Sequence, residues 1–74
     1  MIQRLQDIVN ELIGRDDIVL TPNMKLEKNI GLNSLTVVGL ICAIEDEFDI
    51  EISNSAIRKF KTVKDVLDYI EKNA

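Results

Sequence analysis

Apolar residues in this chain recur at three- and four-residue steps, and that period constrains the fold more than any other feature. Ile2, Leu5, Ile8, Val9, Leu12 and Ile13 form one face of an α-helix over residues 2–13, and Gly14 is placed to end it. Val63, Val66, Leu67 and Ile70 repeat the pattern later. They follow Thr62 and Asp65 at capping-box spacing, with Asp in place of the more usual Glu. A further helix starts near Asn33-Ser34, both good N-cap types, and carries Val37, Leu40, Ile41, Ile44 and Phe48 on one stripe. Residues Asn54 to Phe60 leave room for a short third helix with Ile57 and Phe60 inward. With 3 Gly and 1 Pro, helix formers dominate, and 74 residues suffice for one domain but not two. The expectation is an all-α, four-helix bundle over residues 1–74, with a long first loop and a short third helix.

Two features of this pattern point beyond packing. The connection over residues 15–32 is long for so small a domain, so it is either functional or contains structure of its own. Ile18, Leu20, Met24, Leu26 and Ile30 are the residues expected to pin it to the core. The second helix also has a second apolar stripe, Leu35, Val38, Gly39 and Cys42, which turns acidic at Glu45, Asp46 and Asp49. A helix apolar on two sides is sandwiched or offers one side to a partner. Gly39 inside a helix costs about 1 kcal/mol relative to Ala, which implies close approach of a partner or of an attached arm, or plain tolerance.

Charge and composition exclude several classes. The net charge is −4, and no Lys/Arg cluster supplies the basic face that nucleic acid needs. Arg58, Lys59 and Lys61 are too sparse for that task. No apolar run approaches a membrane-spanning length, and the amphipathic start MIQRLQDIV is unlike a signal peptide. Cys42 stands alone, so no internal disulfide forms and a cytoplasmic location is expected. Histidine is absent, which removes the commonest general base and most zinc sites. Cys42 therefore has no activating partner, and the acidic run from Glu45 to Glu51 lacks the Gly turn of a calcium loop. No catalytic or metal residue is expected, and the chain is not expected to be an enzyme.

The run Leu26-Glu27-Lys28-Asn29-Ile30-Gly31-Leu32-Asn33-Ser34-Leu35 resembles the signature of acyl carrier proteins, in which a Leu/Ile-Gly-x-Asp-Ser-Leu segment opens the second helix. The stretch Ala43 to Ile52 and the segment from Thr62-Val63 to Tyr69-Ile70 look like the same family, so the resemblance spans nearly the whole chain. It implies a four-helix bundle of the acyl-carrier type, monomeric, whose Ser34 receives 4'-phosphopantetheine from coenzyme A through a phosphopantetheinyl transferase. The arm would carry acyl or related intermediates as thioesters to acyl-transferring or condensing enzymes, in fatty-acid, polyketide or another specialised pathway. The matching partner-binding positions are Leu35, Val38, Glu45 and Asp46.

Three residues depart from the family pattern. Asn33 replaces the usual Asp before the serine, a residue expected to help the transferase hold its divalent metal. Thr36 and Gly39 stand where fatty-acid carriers are often acidic, which brings aminoacyl, D-alanyl and peptidyl carriers into consideration. The competing reading is an unmodified, carrier-like interaction module, and Ser34 taken alone is simply an N-cap. The core stripe of the second helix, with Leu26, Ile52 and Ile70, would wall a cavity able to shelter an aliphatic cargo.

Overall fold

A computed structural model describes all 74 residues. Helix α1 runs Ile2–Ile13, α2 Ser34–Phe48, α3 Asn54–Lys59 and α4 Val63–Asn73. The four expected helices are present, and the first connection holds a fifth element, one π-helical turn at Leu26–Ile30. That turn is the hidden structure the length of the connection called for. It closes on Gly31, whose φ of 88° is open to glycine without strain. Asn29 tightens it by accepting the Lys25 amide at 2.7 Å.

The core contains 13 buried apolar side chains drawn from every element except α3. Leu5 and Val9 of α1, Leu40 and Ile44 of α2, and Val63, Val66 and Ile70 of α4 are almost fully enclosed. Each such side chain contributes about 2 kcal/mol of gross transfer free energy. Leu20, Leu26 and Ile30 are buried as the sequence pattern indicates, Ile18 and Met24 pack partly against the core, and Leu32 joins them unforeseen. On α2, Leu40, Ile41 and Ile44 are buried while Val37 and Phe48 lie at the margin.

Two devices hold the first connection down. Asn10, the one buried polar residue, donates from Nδ2 to the Ile18 carbonyl and accepts the Ile18 amide on Oδ1, both at 3.0 Å. Both faces of its amide are thereby satisfied, which a buried Asn requires. Further along, the chain pairs with the α3–α4 link through a Lys25–Thr62 antiparallel bridge. The Leu26 amide donates to the Lys61 carbonyl at 3.0 Å, Val63 to Met24 at 2.9 Å and Lys64 to Pro22 at 3.0 Å.

Gly39 has a structural explanation, and it is neither an external partner nor tolerance. A Cβ there would meet Leu12 Cδ1 of α1 at 3.1 Å, so the glycine lets α1 approach α2 closely. At the other end of α2, Glu45 accepts the Ile52 amide on Oε2 at 2.9 Å and so fixes the turn that seats Ile52 in the core.

Helix α4 begins with the capping box read from the sequence. Thr62 Oγ1 accepts the Asp65 amide, while Asp65 Oδ2 accepts the amides of Lys61 at 2.9 Å and Thr62 at 3.0 Å. The Lys61 and then the Thr62 amide hold the Asp65 carboxyl below its ordinary value. A carboxylate depressed in the folded state stabilises the fold above its unfolded pKa, and that contribution fades as pH falls through the folded value. Asp65→Asn keeps an acceptor oxygen and removes the titration. In urea melts, wild type should therefore exceed Asp65→Asn in stability near neutrality, with the gap closing as pH falls through and below the ordinary carboxylate range.

Candidate functional site

Asn33, not Ser34, caps α2. Its backbone is extended, its Oδ1 accepts the Thr36 amide at 3.0 Å, and Thr36 Oγ1 accepts the Asn33 amide at 2.8 Å. Thr36 thus fills the role that Glu or Gln has in the common capping box. Ser34 is the first helical residue, exposed, and its hydroxyl has no hydrogen-bond duty in the fold. The cap reading of Ser34 is displaced by one residue, and the hydroxyl is left free at the positive end of a fifteen-residue helix.

Ser34 opens onto a groove of about 1170 Å³. Its apolar lining is Leu26, Val37, Val38, Ile57 and Phe60. Its charged lining is Lys25, Lys28, Arg58 and Lys61, with Glu27 as the single carboxylate. No stretch of sequence shows this cluster, because the backbone pairing of residues 22–26 with 61–64 is what brings Lys25 and Lys28 together with Arg58 and Lys61. In a chain of net charge −4 it is a local inversion of sign.

The predicted partner residues separate. Leu35 and Val38 are 84% and 60% exposed, and Val38 lines the groove together with Ser34. Asp46 is exposed, but it lines a depression with Glu11 of α1 and Glu47 rather than the groove. Glu45 is half-buried with one oxygen engaged on the Ile52 amide, so its first task is internal. Cys42 is free and exposed, and no cluster of His, Cys, Asp or Glu in the structure could hold a metal ion.

The cap assignment is directly testable. Asn33→Ala should destabilise the protein by about 1 kcal/mol, as removal of an N-cap does. Ser34→Ala, which removes an unengaged hydroxyl, should shift stability by less than about 0.5 kcal/mol. Urea denaturation of the two variants beside wild type reads both values.

An exposed alcohol at a helix N-terminus, with cations opposite, fits a phosphodiester, since amides, dipole and side chains all favour an anion there. Comparison with known proteins agrees. The phosphopantetheine attachment site family matches residues 3–70. The acyl carrier protein of Syntrophobacter fumaroxidans is 37% identical over 70 residues, covering 95% of this chain and 86% of that one. A crystal structure of acyl carrier protein from Thermotoga maritima superimposes with a TM-score of 0.85 at 30% identity, over 96% of this chain and 82% of that one. The solution structure of a holo acyl carrier protein from Geobacter metallireducens gives 0.87 at 27% identity over the same shares. The chain belongs to the acyl carrier protein family, whose prosthetic group is covalently attached 4'-phosphopantetheine.

Proposed function

We propose that Ser34 is the attachment residue and that the chain carries acyl or related intermediates as thioesters on the arm it bears. The observation that carries this reading is the free Ser34 hydroxyl: Asn33 and Thr36 meet the capping needs of α2 between them. The carrier itself transforms nothing. It tethers the cargo, which raises the effective concentration at each partner enzyme. Those partners are a phosphopantetheinyl transferase and enzymes that load, condense or remove the acyl group.

Leu35 and Val38 are the contacts the reading favours most, being large apolar side chains exposed beside the attachment point. Glu45 and Asp46 follow about two turns after Val38, where a basic partner surface would meet them. Asn33 supports modification as a cap, because Asn and Asp serve that role about equally. What it lacks is the carboxylate that would help the transferase hold its metal.

Intact mass measured before and after incubation with coenzyme A, magnesium and a broad-specificity phosphopantetheinyl transferase tests the assignment. One added arm is expected on wild type and none on Ser34→Ala. A folded wild-type protein that gains no arm with several transferases would favour the unmodified interaction module.

A further inference from the structure

The groove beside Ser34 holds more positive charge than a phosphodiester uses. Lys25 and Lys28 reach it from the first connection, Arg58 from the last turn of α3 and Lys61 from the α3–α4 link, against Glu27 alone. Glu27 and the arm's monoanionic phosphodiester would offset two of these four cations. The carboxylates of α2 do not neutralise the others, since Asp46 and Glu47 line a separate depression against α1. What remains is a cleft of net positive charge with an apolar lining from Val37, Val38, Ile57 and Phe60, a shape that concentrates field on an entering anion. Its volume of about 1170 Å³ is above the usual range for a drug-sized ligand, so arm and short cargo can share it.

A neutral acyl chain would leave the surplus cations without a partner, whereas a carboxylate at the far end of the chain would engage them. Arg58 in particular offers the planar fork that pairs with a carboxylate through two hydrogen bonds. We propose that this groove seats the arm folded back along it and favours cargo ending in a carboxylate, a dicarboxylic acid held by one end as thioester, over a neutral acyl chain of equal length. This rests on Ser34 bearing the arm.

The test loads the protein with glutaryl or pentanoyl arms, equal in carbon number, from the corresponding coenzyme A thioesters, with intact mass confirming each product. Melting is then compared at ionic strengths of about 0.01 M and about 1 M, where the Debye length is about 30 Å and about 3 Å. At low salt the glutaryl form should melt higher than the pentanoyl form by about 4 °C or more, the shift that about 1 kcal/mol of selective binding gives a domain of this size. The difference should collapse at high salt and in Lys28→Gln/Arg58→Gln, but persist in Lys59→Gln, an exposed cation outside the groove lining. Equal melting of the two loaded forms at low salt would overturn the proposal, as would a difference that survives Lys28→Gln/Arg58→Gln. Absence of any added mass would instead overturn the assignment of Ser34 on which the proposal stands.

Discussion

The pairing of residues 22–26 with residues 61–64 sets the geometry of the Ser34 end of the molecule. Three backbone hydrogen bonds and one antiparallel bridge join the first connection to the α3–α4 link. They place the π turn over the core, so that Leu26 and Ile30 are buried while Lys25 and Lys28 face outward. From there Gly31 and the buried Leu32 deliver the chain to Asn33 at the angle α2 requires. Without this pairing the long connection would leave its polar backbone groups to water and lose its hold on the core.

A division of labour at the start of α2 follows. Helices need their first amides satisfied, and Asn33 with Thr36 does this in full view of solvent. Ser34 is thereby relieved of any part in stability, although the carrier reading asks chemistry of its hydroxyl. A similar separation applies to the acidic half of the helix. Glu45 braces the Ile52 turn, and Glu47 pairs with Arg4, whose guanidinium also lies 4.7 Å from the centre of the Phe48 ring. Asp46 is left free for contacts outside the molecule.

The helices could be read from the chain because their apolar residues keep a period of about 3.6 with recognisable caps. The bounds of α1 and the capping box at Thr62 and Asp65 are examples. The π turn was not legible. Leu26-Glu27-Lys28-Asn29-Ile30 is too short for periodicity, and only the excess length of its connection hinted at structure. The reason for Gly39 lay outside its own helix, in the reach of Leu12 from α1. Sequence context marks both Ser34 and Asn33, but only the backbone geometry distinguishes Asn33 as the cap. The cationic groove is not legible in the sequence for a similar reason: its four cations come from segments that are neighbours only in space.

That same pairing has a kinetic consequence. The tie joins segments separated by about half the chain, and its closure entropy is met only when the intervening helices are in place. The groove's walls therefore come together only when α2 and α3 are already placed between the paired segments. A chain still maturing presents Ser34 on a helix without its surroundings. For a transferase that reads those surroundings as well as the serine, prosthetic-group attachment becomes a checkpoint on completed folding.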